Sequence, residues 1–386
     1  MVADGWSPRA FRDFVIKVHQ RCNLACDYCY MYTMADQSWR TRPAIMPDET
    51  VRAAGDRIRD HARAHGLSHV RLILHGGEPL LAGRAGLRRI VDILRSALDG
   101  VCAADFGLQT NGVLLDEAML TGLRSLGVSV GVSLDGAAAD NDRHRRHADG
   151  RGSFAAVDRA LRLLNQPGFR DRYAGLLCTV DPGTDPIGCY RTLLDYQPPA
   201  IDFLLPHANW EEPPRRYGAR ETPYADWLIA IFDEWYGAER KEVRIRLFEA
   251  VINLILGGGS RSEQVGLSPV AVAVIETDGA VEQEDSLKSA YAGACVTGAN
   301  VLTDDLDAVL LHPGIVARQI GVQALADSCR SCELHRVCGA GHYAHRYRRG
   351  DGFRNPSVYC ADLTRLITHV HRRVATDLAR LTGARQ

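Results

Sequence analysis

Three cysteines near the N-terminus have a spacing that suits an iron–sulfur cluster. Cys22, Cys26 and Cys29 follow the apolar run 14–18 at the spacing C-x3-C-x2-C. A purely structural cluster uses four thiolates, so three thiolates leave one iron with an open coordination position, where chemistry can take place. The alternative is a zinc loop, but structural zinc takes four ligands, and the nearest fourth candidate, His19, lies within the strand-like run.

A second group of cysteines lies near the C-terminus, with the spacing C-x2-C-x5-C followed by one more distant cysteine. Its members are Cys329, Cys332, Cys338 and Cys360. Four thiolates complete the coordination of a cluster and leave no open iron. A structural zinc site fits this spacing almost as well, so both interpretations stay open at this point.

Composition restricts the classes of function. The chain has 386 residues and a formal net charge of −1, so no bulk electrostatic field favours nucleic acid or an anionic membrane. No stretch of eighteen uncharged apolar residues predicts a membrane span. The first eight residues lack the apolar core of a signal peptide. Eleven cysteines without a secretion signal indicate metal or redox chemistry in a reducing compartment, and we expect a cytoplasmic protein.

Apolar runs of strand length alternate with helical patterns from Phe14 to Leu205. This alternation predicts about six βαβ units and a parallel sheet that forms all or part of a barrel. The carboxyl ends of such strands collect the functional residues. The pattern breaks after Pro206, and we expect one domain over 1–240 and a smaller one over 241–386.

The first cysteine loop, with an aromatic residue directly after Cys29, and the segment 76–79 resemble the radical S-adenosylmethionine (SAM) superfamily. The resemblance implies that Cys22, Cys26 and Cys29 hold a [4Fe-4S] cluster whose open iron binds SAM. It also implies that the glycines accommodate the SAM amino group and that Arg145 pairs with the SAM carboxylate. The expected SAM contacts are Tyr28, Gly76, Gly77, Glu78, Gln109, Asn111, Ser133, Asp135 and Arg145.

The second group of cysteines resembles the SPASM domain of radical SAM enzymes that modify peptides. The resemblance implies an auxiliary [4Fe-4S] cluster on Cys329, Cys332, Cys338 and Cys360. The family pattern has further cysteines where this chain has Glu284 and His342, so we expect the second auxiliary cluster to be absent. The implied fold is α/β: a partial (β/α)6 TIM-like barrel of the radical SAM type with a smaller C-terminal SPASM-like cluster-binding domain.

Segments 11–19, 35–40 and 341–347 resemble the FxsB-like, cyclophane-forming group of triceptide maturases. This resemblance implies a ribosomally made precursor peptide as substrate, hydrogen abstraction from a Cβ, and a crosslink from that carbon to an aromatic ring. An external donor such as a flavodoxin or ferredoxin would supply the electron. The candidate bases for the final proton are His207, Glu284 and Asp285.

Capture of the peptide is the least defined step. Only thirteen residues precede Phe14, and we expect no leader-recognition domain there. The peptide is then expected to bind at the barrel mouth, at the bridging region or at an edge strand of the C-terminal domain. One alternative function is a thioether-forming or sulfatase-type maturase with the same radical initiation. Another is an iron–sulfur or zinc redox module that does not cleave SAM.

Overall fold

The computed structural model describes residues 6–215, 217–260 and 262–383. They form two compact units. The first comprises the described residues up to Leu177 together with Val270–Gln319, and the second comprises Cys178–Pro269 and the described residues from Ile320 onward. Neither unit begins or ends at residue 240, and the division of the chain at that residue stays a prediction.

Ten strands are present in the described part of the chain. They are β1 (Asp13–His19), β2 (His69–Gly76), β3 (Ala103–Thr110), β4 (Ser129–Ser133), β5 (Tyr173–Thr179), β6 (Ala200–Leu204), β7 (Arg244–Ile245), β8 (Val272–Ile275), β9 (Ala280–Glu282) and β10 (Val296–Asn300). In the first unit the sheet order is β10-β9-β8-β1-β2-β3-β4-β5. Strands β1 to β5 and β8 are parallel, and β9 and β10 are antiparallel additions at the edge.

The α-helices of the described residues follow the strands or cover the cysteine-rich region. They are α1 (Asp48–Ala64), α2 (Gly83–Leu98), α3 (Glu117–Ser125), α4 (Ala138–His144), α5 (Phe154–Leu164), α6 (Pro186–Leu194), α7 (Pro223–Gly237), α8 (Arg246–Ile255), α9 (Leu306–Leu310), α10 (Pro313–Ala317), α11 (Asp327–Arg330), α12 (His335–Cys338) and α13 (Cys360–Gly383). Short 3-10 helices lie at Ser38–Arg40, Pro79–Ala82, Arg170–Arg172, Asp285–Ser289, Gly321–Ala324 and Tyr343–Arg346.

The central strands are buried most completely on one face. Ile16, Val18, Leu72 and Leu74 have no exposed surface, whereas Val15 and Ile73 on the opposite face are half-buried and Arg71 is exposed. Helix α3 begins at a side-chain cap, since the Asp116 carboxylate accepts a hydrogen bond from a backbone N–H in its first turn. The predicted alternation of strands and helices is therefore confirmed up to β6.

The second unit contains the end of β5, the parallel pair β6 and β7, and the helices α6 to α8 and α11 to α13. Phe203 of β6 packs edge-on against Trp227 of α7, with ring centroids 5.4 Å apart, and its ring also lies against Phe248 of α8. Within the described parts of the chain, no helix is both long enough and apolar enough to span a membrane.

Candidate active site

The first cysteine loop begins directly after β1 and directs backbone N–H groups at its sulfur atoms. The Leu24 N–H lies 3.4 Å from Cys22 Sγ. The backbone N–H groups of Met31 and Tyr32 donate hydrogen bonds to Cys29 and lower the pKa of its thiol. Burial has the larger effect, so the pKa of Cys29 is raised overall. Such N–H groups stabilise thiolate charge, which is what cluster ligands require.

The three thiols of this loop interact with one another. Burial raises the pKa of Cys22 to about 12, and the neighbouring Glu78, Cys26 and Cys29 add smaller effects in the same direction. Burial likewise raises the pKa of Cys26 to about 11. Without a metal these thiols stay protonated, and a metal ion would have to displace the protons. The donor set therefore fits a cationic iron–sulfur cluster.

Two glycines at the end of β2 let this strand meet the cysteine loop. The N–H groups of Gly77 and Glu78 donate to the carbonyl oxygens of His19 and Arg21, at 2.8 and 2.9 Å. A Cβ on Gly76 would overlap the His19 carbonyl oxygen, and one on Gly77 would lie 2.6 Å from the Arg21 oxygen. The sequence argument assigned these glycines to the approach of an ammonium group, whereas the contacts seen here are with the chain itself.

Glu78 joins the ends of β2 and β3. Its side chain is completely buried. It accepts hydrogen bonds from the Leu80 N–H at 2.9 Å, the Thr110 hydroxyl at 2.7 Å and the Asn111 N–H at 2.8 Å. Burial raises the pKa of Glu78, and these three hydrogen bonds oppose the increase. The carboxylate thus orders the ends of two strands, a role that the sequence argument did not anticipate.

Asn111 connects the end of β3 to the cysteine loop. Its side-chain nitrogen donates to Asn23 Oδ1 at 2.8 Å and lies 3.6 Å from Cys22 Sγ. On the neighbouring strands, Gln109 Nε2 donates to Ser133 Oγ at 3.0 Å. The predicted strand-end residues of β3 and β4 therefore lie side by side, and Asn111 contacts a predicted cluster ligand directly.

Tyr28, Asp135 and Arg145 form a polar triad beside the loop, in which Asp135 and Arg145 are buried and Tyr28 is half-buried. The Tyr28 hydroxyl donates to the Asp135 carboxylate, and Arg145 donates to the Tyr28 oxygen at 2.8 Å. Arg145 and Asp135 are 4.0 Å apart, and their side chains are 9% and 6% exposed. A guanidinium held in this way can bind a carboxylate with two parallel hydrogen bonds.

The segment after α4 also holds the cysteine loop, and sequence reasoning assigned it no such role. The Ala25 N–H donates to the Arg146 carbonyl at 2.7 Å. His144 Nδ1 lies 2.9 Å from the Asp27 carboxylate, and His147 Nδ1 lies 3.1 Å from a loop carbonyl oxygen. The two histidines three positions apart were the only signal in the sequence, and histidine pairs are too common to indicate this contact.

In the second unit, the four C-terminal cysteines lie near one another. The pKa of Cys338 is raised to about 11, chiefly by burial and also by Cys360. Hydrogen bonds from the backbone N–H groups of Ala340 and Gly341 to the Cys338 sulfur lower this pKa. Gly339, Ala340 and Gly341 all have left-handed φ angles of 60 to 66°. This turn directs N–H groups at a sulfur atom, which fits a thiolate ligand of a cluster or of zinc.

His207, a candidate base, follows β6 and packs against two other histidines. Its ring centroid lies 5.6 Å from that of His342 and 5.9 Å from that of His345. The rings of His342 and His345 are 5.1 Å apart. Sequence reasoning considered His207 and His342 separately and did not predict this histidine cluster, because β6 and the 3-10 helix Tyr343–Arg346 are distant in the sequence.

The two other candidate bases, Glu284 and Asp285, lie in the first unit and are both ion-paired. Glu284 pairs with Arg318. Burial raises the pKa of Asp285, but the ammonium groups of Lys17 and Lys288 outweigh burial and hold it below its ordinary value. A carboxylate with a lowered pKa is a weak proton acceptor, so this geometry does not favour Asp285 as a base.

Asp285 belongs to a buried ionic network of three cations and three carboxylates. The Lys288 ammonium pairs with Glu276, lies 2.8 Å from Glu282 and lies 3.7 Å from Asp285. The Arg42 guanidinium lies 2.7 Å from Glu276 and 2.6 Å from Glu282. Its six buried members are Lys17, Arg42, Lys288, Glu276, Glu282 and Asp285. Asp278, which is 37% exposed, also pairs with Arg42, at 3.2 Å.

Comparison with known proteins identifies the class to which this fold and these strand ends belong. Residues 16–185 match the model of the radical SAM superfamily. A serine-type anaerobic sulfatase-maturating enzyme of Klebsiella aerogenes is 33% identical over 361 residues, which are 91% of this chain and 84% of that protein. The chain belongs to the radical SAM superfamily, and it is a SAM-binding iron–sulfur protein that acts on a peptide or protein substrate.

Further relatives agree with this assignment. A cysteine-type anaerobic sulfatase-maturating enzyme of Clostridium perfringens is 28% identical over 266 residues, 67% of this chain and 70% of that protein. The solved structure of native anSMEcpe with bound AdoMet and the Cp18Cys peptide superposes with a TM-score of 0.80 at 23% identity, covering 96% of this chain and 99% of that one. The predicted radical SAM α/β fold is thus confirmed.

Proposed function

We propose that this enzyme removes a hydrogen atom from a Cβ of a ribosomally made precursor peptide and joins that carbon to an aromatic ring, forming a cyclophane. The observation that carries the proposal is the convergence of the β2, β3 and β4 ends on a three-cysteine loop, with Asn111 3.6 Å from Cys22 Sγ. This arrangement supports a radical initiation site. The choice of a crosslink as product rests on the FxsB-like segments of the sequence.

The proposed cofactor ligands follow from the donor sets. Cys22, Cys26 and Cys29 hold one [4Fe-4S] cluster, and the C-terminal cysteines hold a second, auxiliary one. SAM bound to the reduced first cluster supplies the radical that takes the hydrogen atom. Arg145 pairs with the SAM carboxylate, and the other strand-end contacts predicted for SAM keep their assignments, including Tyr28, Gly76, Gly77, Gln109, Ser133 and Asp135.

The remaining steps follow from the balance of atoms. A crosslinked peptide has two hydrogens fewer than its precursor, so one electron and one proton leave after the first hydrogen atom is removed. The auxiliary cluster is the proposed electron acceptor because four cysteines leave no iron for substrate binding. An external flavodoxin or ferredoxin supplies the first electron. The eleven free thiols suit a reducing compartment such as the cytoplasm.

A sulfatase-type maturase is the second candidate, and a specific observation favours it. The Klebsiella aerogenes relative named above is a serine-type sulfatase-maturating enzyme and matches 91% of the chain. The lack of a cysteine ligand for the second auxiliary cluster of the SPASM pattern argues against this function. Glu284 occupies that position in this chain and pairs with Arg318. We therefore propose that this second auxiliary cluster is absent and rank the crosslinking reaction first.

One experiment separates the two candidates. The enzyme is co-expressed with the small open reading frame adjacent to its gene, and the peptide is analysed by tandem mass spectrometry and by an aldehyde-reactive hydrazide. A crosslink shows a loss of two hydrogens, missing fragmentation between the joined residues and no reaction with hydrazide. An aldehyde-containing peptide supports the sulfatase-type reaction. An unmodified peptide alongside active SAM cleavage contradicts the proposed substrate.

A matched variant tests whether the modification depends on the first cluster. Cys26→Ala removes one proposed ligand and should abolish both peptide modification and reductive SAM cleavage. Cys102→Ala is the control, because Cys102 is partly exposed and lies outside both cysteine groups. Modification that persists in Cys26→Ala at the rate of the control would contradict the assignment.

A further inference from the structure

Three histidines of the second unit converge, although His207 comes from a different element from His342 and His345. His207 lies just after β6, and His342 and His345 lie at the 3-10 helix between the last two cysteines of the C-terminal group. One nitrogen of each ring lies within 4.8 Å of a nitrogen of each of the others. His345 is only 3% exposed. At this separation the three imidazole nitrogens could bind a single metal ion after small side-chain movements.

We propose that His207, His342 and His345 bind one divalent transition-metal ion, with Zn²⁺ the best match. Imidazole nitrogen is a ligand that suits zinc, copper, iron and nickel rather than calcium or magnesium. Near neutral pH an imidazole is largely uncharged and offers a lone pair to a metal. Three histidines with one position left for water or a substrate oxygen form a recurring zinc site. This site uses none of the proposed cluster ligands.

The surroundings of the three histidines are compatible with a cation bound between them. A carboxylate oxygen of Glu263 lies within 4.8 Å of a ring nitrogen of His342. A carboxylate beside a metal-binding histidine orients the ring and strengthens the bond to the metal. Arg346, the residue after His345, directs its guanidinium at the carbonyl oxygens of Gly339 and Gly341, both at 2.6 Å. Its charge also lowers the pKa of the Cys329 and Cys338 thiols against the larger effect of burial.

His342 also caps the 3-10 helix Tyr343–Arg346. Its Nδ1 accepts the Ala344 N–H at 3.3 Å, which is longer than the usual range for backbone N–H donors. The ion would fasten the segment between Cys338 and Cys360 to the end of β6, so that the auxiliary cysteines and a strand end of the second unit keep a fixed separation.

The test is the metal content of enzyme whose iron–sulfur clusters have been fully reconstituted and which has been dialysed against zinc. We expect about one zinc per chain, and zinc-edge X-ray absorption should show nitrogen or oxygen ligands at about 2.0–2.1 Å. His345→Ala should raise the zinc dissociation constant, measured by chelator competition, more than about 100-fold. Glu263→Gln should raise it about tenfold, since a residue behind the ligand contributes less.

The control is His371→Ala, which changes an exposed histidine of α13 and should leave zinc affinity unchanged. The proposal is overturned if the wild-type enzyme retains no zinc, if the absorption data show sulfur ligands at about 2.3 Å, or if His345→Ala binds zinc as tightly as the control. If His345→Ala does not fold, His342→Ala replaces it, and the wild-type absorption spectrum decides independently of any variant.

Discussion

Replacing Arg145 by methionine tests the proposed SAM carboxylate contact most directly. The Arg145 side chain is 9% exposed, so solvent does not screen its charge strongly. A hydrogen bond to a charged group contributes about 1.5–3 kcal/mol, and 1.4 kcal/mol corresponds to a tenfold change in affinity. We therefore expect Arg145→Met to raise the SAM dissociation constant about 10- to 150-fold, measured by equilibrium dialysis on cluster-loaded enzyme.

The change also leaves the buried Asp135 carboxylate without its neighbouring cation, which lies 4.0 Å away in the wild type. The double variant Arg145→Met/Asp135→Asn removes both charges and separates this effect from the loss of SAM binding. It should fold more stably than Arg145→Met alone and still bind SAM weakly. Tyr28→Phe removes only a neutral donor, and its effect should be about two- to tenfold.

The matched control is Arg151→Met, because Arg151 follows the same helix but its side chain is 75% exposed. Its SAM affinity should equal that of the wild type. The reasoning is refuted if Arg145→Met and the double variant, both folded and loaded with clusters, bind SAM within twofold of the control. Arg145 would then serve only to hold Tyr28 in place.

Three further predictions concern stability. Gly77→Ala should lower the melting temperature and reduce cluster loading, because its Cβ would overlap Tyr32 Oη. Lys288→Met should destabilise the protein by about 3–5 kcal/mol in urea unfolding, since three buried carboxylates lose a shared cation. Burial holds the pKa of His61 below its unfolded value near 6.5. The unfolded state therefore takes up a proton first, and stability should fall as pH decreases below about 6.5; His61→Gln should reduce this slope.

Each of these changes has a control in the same chain. Gly86→Ala adds a Cβ with no atom closer than 3.5 Å and should leave the melting temperature unchanged. The control for Lys288→Met is Lys241→Met, which removes an exposed lysine. The control for His61→Gln is His69→Gln, which removes a histidine whose side chain is 48% exposed. An equal loss of stability in a test variant and its control, or an unchanged pH slope in His61→Gln, would contradict the physical argument for that site.

The strand and helix pattern could be predicted because buried parallel strands are nearly continuous apolar runs. The run 14–18 became β1, and the polar residues after β2, β3 and β4 lie together because parallel strands end at one edge. The assignment of Asn111, after β3, and Arg145, after α4, to SAM came from the resemblance to the radical SAM superfamily and stays a prediction. The order of these strands could be inferred from the sequence because it depends on neighbours in the chain.

What the sequence could not indicate are contacts between distant segments. Lys17 of β1 pairs with Asp285, and Glu284 pairs with Arg318, so two acidic residues that resembled free bases are neutralised by cations. The close approach of Gly76 and Gly77 to the His19 and Arg21 carbonyl oxygens was not predicted, and their contact with SAM stays a prediction. A hydrophobic pattern fixes which face of a strand is buried, but it does not determine which side chains meet across the sheet.

The buried ionic network restricts how this chain can change over evolutionary time. Because its three cations and three carboxylates balance one another away from solvent, altering any one of them leaves an uncompensated charge that costs several kcal/mol. A descendant could lose the network only through paired replacements of opposite sign, such as Lys288 with Glu282. Lineages should therefore differ at these six positions in concert, and intermediates with a single replacement should be rare.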